Sequence, residues 1–412
     1  MPAMTELLLD CLRPGDDRAL AARLAALHAD EWHALLHHAL TQQVVGLVYQ
    51  RVKLLGLATP PAQAALRTLQ TLYAANAARN LRIRAELQDI AVALHADHQP
   101  IILLKGAHLA YAVYDDLGVR QMVDIDVLVP RDALARVAHV LEHHGYAAQS
   151  PYVLDQAFFN DHLHLPPFAQ QGRVTIELHW NITAPRHAYS IDPDELWQRA
   201  VPVQIGNASA LGLCAEDLLL HACFHAAYQH EFEFGLRPFC DIAQIMRRQH
   251  EDLLWPAVVA RARAWRGTRG VFLALQLARD MVGAAVPAQV LRELCPDACP
   301  DSVLHNARTQ VLTEVTAGAP LSPNIVEWHD AAWHKKMALF VRNVCVPKAV
   351  LARRYGVRAT SPALYLYYPV RLMTLWARYS RTLFRLWRGA ATVSPRARSK
   401  HTLHHWLADK PH

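Results

Sequence analysis

The stretch from Ile101 to Val129, IILLKGAHLAYAVYDDLGVRQMVDIDVLV, is where the chain changes its hydrophobic period, and it constrains the fold more than any other segment. Upstream, Leu and Ala recur every three or four residues in DDRALAARLAALHADEWHALLHHAL and again in LRTLQTLYAANAARNLRIRAELQDIAVAL. That spacing predicts helices across residues 1–99, interrupted at Thr59-Pro60-Pro61 and stopped by Pro100. From Ile101 the pattern reads as a short apolar strand (Ile101–Leu104), a Lys-Gly turn, a helix, and a second strand carrying Asp124 and Asp126. Side chains two apart on a strand share a face. The two carboxylates therefore stand side by side, while Val123, Ile125, Val127 and Val129 face the other way. Like charges on an apolar strand repel each other and lose hydration, a cost that a divalent cation between them offsets. Mg²⁺ favours one or two carboxylates combined with phosphate oxygens and water. The spacing points to a metal-and-phosphate site.

Beyond this unit, Arg131–His144 reads as a helix ended by Gly145. Val174–Trp180 alternates, with Val174, Ile176, Leu178 and Trp180 apolar and Thr175, Glu177 and His179 polar, and Val201–Ile205 is a further strand. From Cys214 the helical period returns. The expected fold is α+β: a small mixed sheet over residues 100–213, between a helical N-terminal region (1–99) and a helical domain (214–330), followed by a basic, aromatic helical tail (331–412).

Glu177 offers a third carboxylate on a second strand. With Asp124 and Asp126 it would complete a two-metal site, and these three are the candidate catalytic and metal-binding residues. Lys105-Gly106 follows a strand and opens a helix, an arrangement that aims backbone N–H groups at an anion. Arg120, in the loop entering the second strand, is placed to hold phosphates, and His179 to contact phosphate or order Glu177. Each has an ordinary structural reading as well: a capped turn, a loop arginine, a hydrogen-bonded histidine. His221 and His225 lie four apart and share a helix face, which suits either metal binding or packing. His230-Glu231 does not complete an HExxH motif, and Asp241 is expected to pair with one of these histidines or with Arg237. His329-Asp330 supplies the dipeptide of a His/Asp metal phosphohydrolase, but nothing near it organises such a site.

Composition adds an asymmetry. Of 42 Lys and Arg, fifteen fall between Lys335 and Lys400, where there is no Asp or Glu; the remainder holds 27 bases against 36 acids. Arg378, Arg381, Arg385 and Arg388 recur at helical spacing among Trp376, Tyr379, Phe384 and Trp387. Residues 335–400 are therefore expected to meet an anionic surface or polyanion, or to dock on the acidic body. The seven cysteines are scattered without a CxxC pair, as in a reducing compartment. The N-terminus lacks a basic region of the secretory kind, and no uncharged apolar run approaches the roughly 18 residues of a membrane span. A cytoplasmic location is expected, with a position peripheral to a membrane as the alternative.

The run LLKGAHLAYAVYDDLGVRQMVDIDVLV, with IELHWNI (176–182), AEDLLLHACFHAAYQH and LRPFCDIAQIM, resembles the uncharacterised nucleotidyltransferase family of the polymerase-β-like superfamily. The likeness extends over about 30–375 and is specific in these four segments. It implies a small mixed sheet whose Asp124, Asp126 and Glu177 hold Mg²⁺ (or Mn²⁺) and a nucleoside triphosphate, with ATP expected, and an acceptor that is a small molecule, peptide, protein or RNA. The superfamily's turn usually carries Gly-Ser or Gly-Gly; here Ala107 follows Gly106, so a phosphate-touching hydroxyl is missing and Lys105 stands in with its charge. That departure supports an alternative, a catalytically silent nucleotide-binding protein.

Overall fold

The computed structural model describes residues 2–183, 189, 191–295, 299–313, 346, 348, 351, 361–374, 376 and 395–408. The N-terminal region is helical as its period predicts: α1 (Pro2–Leu12), α2 (Asp17–Ala25), α3 (Ala29–Thr41), α4 (Val45–Leu55) and α5 (Pro60–Ala96). Pro60 and Pro61 open α5, where their missing N–H groups leave no intrahelical bond unmade. A seven-stranded mixed sheet follows, formed by β1 (Ile102–Leu103), β2 (Asp124–Leu128), β3 (Ala147–Ala148), β4 (Phe168–Ala169), β5 (Thr175–His179), β6 (Val201–Ile205) and β7 (Ala208–Gly212). Its order is β3-β4-β5-β2-β1-β7-β6. The fold is α+β, with helices on both sides of the sheet in sequence.

The central pair decides the geometry of the site. β2 runs parallel to β5, with Asp124 opposite Thr175, Asp126 opposite Glu177 and Leu128 opposite His179. Their apolar residues, Ile125, Val127, Ile176 and Leu178, enter one core with Ile83, Leu87, Ile90 and Leu94 of α5 and with Leu134, Val137 and Leu141 of α7 (Leu134–His143). Full burial of such aliphatic side chains stabilises the fold by roughly 1.5–3 kcal/mol each. Because the helices cover this face, the alternate residues are left to the other one. Val123 departs from the expected alternation and is half-exposed, because it precedes the paired stretch. Val201–Ile205 is a strand as predicted, closed into a hairpin with β7 by Gly206 at φ +59°.

The loop entering β2 is pinned from α5. Asn80 Nδ2 donates to the carbonyl oxygens of Leu117 and Arg120, both at 2.7 Å, and Asn76 Nδ2 donates to Gly118 at 3.0 Å. The Tyr73 hydroxyl donates to the Asp116 carboxylate at 2.5 Å. Gly118 lies so close to the Tyr73 ring that a Cβ would fall 2.3 Å from it. The loop's backbone groups thus find partners on a rigid helix, and the residues that leave it, Arg120 and Asp124, are held in place.

Two short helices, α8 (Gln156–Asp161) and α9 (Pro193–Gln198), are inserted between its strands, and after the sheet come α10 (Ala215–Phe224), α11 (Arg237–Arg248), α12 (Trp255–Ala264), α13 (Thr268–Val282), α14 (Ala288–Leu294) and α15 (Asp301–Leu312). A π-helical turn, His225–Gln229, continues α10. Residues 1–315 and 407–412 form one compact unit and 316–406 another. In the second, Leu351 and Leu364 pack together and the Tyr368 hydroxyl donates to the Val346 carbonyl. Arg378, Arg381, Arg385, Arg388 and the His329-Asp330 dipeptide lie outside the described residues. Among the described residues, no helix is long and apolar enough to cross a membrane.

Candidate functional site

A cavity of 530 Å³ opens on the polar face of β2 and β5. Its sheet side carries Asp124, Asp126, Glu177 and His179, with Lys105, Gly106 and Arg120 beside them. Every residue proposed above for the acidic metal site or for phosphate lines this one space, as does His225 but not His221. The opposite wall comes from the helical half: His225, Tyr228, His230, Phe234 and Arg237.

Asp126 is the centre of the cluster and is 1% exposed. Its Oδ1 accepts from Lys105 Nζ at 3.0 Å and from His179 Nε2 at 2.8 Å. An ionised carboxylate only accepts, so the His179 proton sits on Nε2. Nδ1 of the same ring is buried without a partner. His179 Nε2 also lies 3.3 Å from Glu177 Oε2, so the imidazole bridges the two acids. Burial opposes the charge on Asp126, but the Lys105 ammonium and the His179 bond outweigh it and hold the carboxyl well below the usual range.

Asp124 behaves in the opposite way. Burial first, then the charges of Asp126 and Glu177, push its carboxyl up to about 6. The three acids thus carry more negative charge than Lys105 neutralises. One ligand atom each from Asp126, Glu177 and His179 lies within 4.8 Å of the others. Bonds of about 2.0–2.1 Å from a central Mg²⁺ would close that span with small side-chain movements. The donor set fits a divalent cation: the carboxylate oxygens suit Mg²⁺ or Mn²⁺, and the His179 imidazole could join them through Nε2 only by giving up its proton. Asp124 stands next to this trio rather than within it.

A pH dependence follows from Asp124. Its folded pKa is raised, so the metal-free protein holds that proton more tightly than the unfolded chain does. The unliganded fold therefore loses stability as pH climbs from the ordinary carboxylate range through about 6. A cation needs the ionised form and has the reverse trend. Mn²⁺ affinity measured by calorimetry is expected to rise through about 6 and then level off. Asp124→Asn should flatten this rise; an unchanged pH profile in that variant would remove Asp124 from the site.

At the Lys-Gly turn the structure shows a backbone feature that the sequence reading did not address. The left-handed residue is Lys105, at φ +38°, and not Gly106. Such a conformation is strained for any residue that carries a Cβ. The salt bridge to Asp126 holds it there. Gly106 serves a different need: a Cβ at its position would lie 3.2 Å from Arg120 Nη1, so the glycine lets that guanidinium come close. The helical segment that follows is α6 (Lys105–His108) with a π-helical turn, Leu109–Val113. Ala107 is fully buried in the hydrophobic core and does not line the cavity.

Arg120 is less available to phosphate than its position suggested. Its Nε and Nη2 donate to the two oxygens of Asp241, at 2.8 and 2.9 Å, in a fully buried fork. The Tyr114 hydroxyl donates to the same carboxylate at 3.0 Å. Asp241 was expected to pair with a histidine or with Arg237 on its own helix; it pairs with Arg120 instead. The histidines also settle. Burial drives His221 down to about 3, so it is neutral, and its ring lies edge-on to His225 at 6.4 Å. His225 and His230 approach through their Nε2 atoms at 3.1 Å. Among the described residues, His221, His225 and His230 do not form a metal-binding group.

Arg237, His164, Tyr228 and Phe234 were not singled out from sequence as site residues. Only Arg237 had a readable signal, its place four residues before Asp241 on one helix face.

A family model described as an uncharacterised nucleotidyltransferase matches residues 28–283. The match ends with α13, short of the 375 to which the sequence likeness was extended. Neither curated proteins nor solved structures gave a match.

Proposed function

Since the chain belongs to this uncharacterised nucleotidyltransferase family, we propose that it moves a nucleoside monophosphate from a nucleoside triphosphate, ATP being the expected donor, to a hydroxyl acceptor with Mg²⁺ or Mn²⁺. The carrying observation is the register of β2 on β5, which sets Asp126 against Glu177 within one cavity. Asp124, Asp126 and Glu177 are the proposed metal-holding and catalytic residues. Bound divalent ions would supply charge stabilisation to the transferring phosphoryl group and lower the pKa of the acceptor hydroxyl.

The protein's own groups have distinct tasks in this reading. Lys105 and His179 fix the orientation of the Asp126 carboxylate from two sides. Glu177 is more open than Asp126, with 21% of its side chain exposed, and is suited to orient the acceptor hydroxyl. Lys105, Gly106 and His179 face the nucleotide, with Arg120 beside them in its fork with Asp241. The helical wall at His225 to Phe234 shields the reacting groups from water and selects the acceptor.

The silent nucleotide-binding alternative rested on Ala107. Its methyl points into the core, so a hydroxyl there has no bearing on phosphate in this conformation. The decisive experiment is incubation with labelled nucleoside triphosphates, Mg²⁺ or Mn²⁺, and acceptors of each class: small molecules, peptides, proteins and RNA. Label should pass to one class and the transfer should disappear in Glu177→Gln. Tight nucleotide binding with no transfer to any class would favour the silent reading.

A further inference from the structure

Two arginines line the cavity, Arg120 buried and Arg237 partly buried, and the carboxylate that pairs with the first makes no hydrogen bond to the second. Asp241 is fully committed to Arg120 and Tyr114. Arg237 retains a single long bond, from Nη1 to the Gln121 carbonyl at 3.4 Å. Arg120 Nη1 reaches the same oxygen at 3.5 Å. The Nε of Arg237 is buried with no partner. Among the described residues, no carboxylate is in hydrogen-bond contact with Arg237. The other cation in the cavity, Lys105, is already bonded to Asp126.

A guanidinium carries five N–H donors; Arg237 is partly withdrawn from water with most of them unmet by protein, a cost that an anion in the cavity would offset. Burial and the neighbouring Arg120 charge both lower the affinity of Arg237 for its proton, as expected of a cation whose counter-charge is missing. Asp124 is near enough to interact with it electrostatically, but that carboxylate belongs to the proposed metal cluster. The position is also suitable for recognition. Arg237 lines the cavity together with Asp124, Asp126 and Glu177. It opens α11, and its neighbour Arg120 is clamped by that helix's Asp241.

We propose that Arg237 is the polyphosphate-binding residue of this cavity, with Arg120 and Asp241 as the buried pair that positions it. The role assigned by sequence to Arg120 passes to an arginine on the helical wall. The identity of the anion as a nucleoside triphosphate rests on the nucleotidyltransferase reading; the anion site rests on Arg237 itself. Substrate binding would then tie the helical half to the sheet, with metal held on one wall and phosphate gripped from the other.

The test uses the full chain as wild type, Arg237→Gln and Arg237→Lys, titrated by calorimetry with inorganic tripolyphosphate in the absence of divalent metal. Wild type should bind. Arg237→Gln should bind at least about tenfold more weakly, and Arg237→Lys should fall between them, since it keeps the charge but loses the planar fork. The unliganded Arg237→Gln protein should melt at or above the wild-type temperature, because a partly desolvated charge without a carboxylate partner has gone. A merely structural arginine predicts the opposite: a lower melting temperature and unchanged tripolyphosphate binding. Absence of binding by wild type, or binding by Arg237→Gln within about twofold of it, overturns the inference. If tripolyphosphate binds through Arg237 while labelled transfer fails for every acceptor class, the anion site stands and the transferase reading falls. If transfer persists in Arg237→Gln with an unaltered KM for the triphosphate, the transferase reading stands and the inference falls.

Discussion

Asp126→Asn is expected to abolish metal-dependent transfer and to weaken the fold at the same time. Asparagine keeps the shape of the side chain but presents a neutral oxygen to Lys105 and His179. The Lys105 ammonium, 3.0 Å away and held at φ +38°, loses its counter-ion. Breaking a fully buried pair by removing one partner costs roughly 3–5 kcal/mol. Lys105 keeps 20% side-chain exposure, so water recovers part of that loss. A destabilisation of about 2–3 kcal/mol is the reasonable expectation. The effect on transfer should be larger, at least about 10³-fold, because both cation binding and charge stabilisation depend on this carboxylate.

The pH behaviour of Asp126 separates the two losses. Its folded pKa is depressed, so its contribution to stability is complete above the ordinary carboxylate range and disappears only as pH falls through the lower folded value. The wild-type advantage over Asp126→Asn should therefore persist at neutral pH and shrink in strong acid. Urea unfolding at several pH values measures this directly. Equal midpoints for the two proteins at neutral pH, or transfer rates within a few-fold, would show that Asp126 is not the hub of the site.

Asp241→Ala should be the most destabilising single change in this region. The substitution removes the acceptor of two Arg120 bonds and of the Tyr114 hydroxyl. It also leaves the buried Arg120 with no carboxylate in hydrogen-bond contact. The loss should reach about 3–5 kcal/mol, as for other buried pairs broken on one side. Removing both partners is a different matter. The double variant Arg120→Met/Asp241→Leu exchanges a desolvated ion pair for apolar volume and should recover much of the loss. A chemical denaturation series across the two single variants and the double variant tests this. Additive losses would mean that the fork contributes little beyond packing.

The acidic site was legible to a considerable depth. Alternation alone placed Glu177 and His179 opposite Ile176, Leu178 and Trp180, and that is where they stand. The Asp-Ile-Asp triplet likewise put Asp126 on the cavity face and Ile125 in the core. The helices of the first 99 residues and the Val201–Ile205 strand were also readable from spacing. What could not be read falls into two kinds. β3, β4 and β7 are short or rich in Ala and Gly, so their apolar pattern is too weak to mark a strand. The ion pairs were the second kind. Arg120 finds its carboxylate 121 residues away, and nothing in the loop around it announces that partner.

Lys105 shows the same division within one residue. Its neighbourhood, a strand end before a glycine, was evident, but the left-handed backbone at the lysine itself was not. Local chemistry favours glycine there by steric cost. The salt bridge to Asp126 and the close approach of Arg120 to Gly106 override that preference.

The amino-acid order alone determined which side chains share a strand face, because the two-residue repeat of an extended backbone is a local property. Only the tertiary structure decided that Asp126 lies opposite Glu177, that Asp241 takes Arg120, and that Arg237 is left facing the cavity. Register and charge pairing are settled by the packing of segments far apart in the chain, where burial makes each carboxylate's choice of partner worth several kcal/mol.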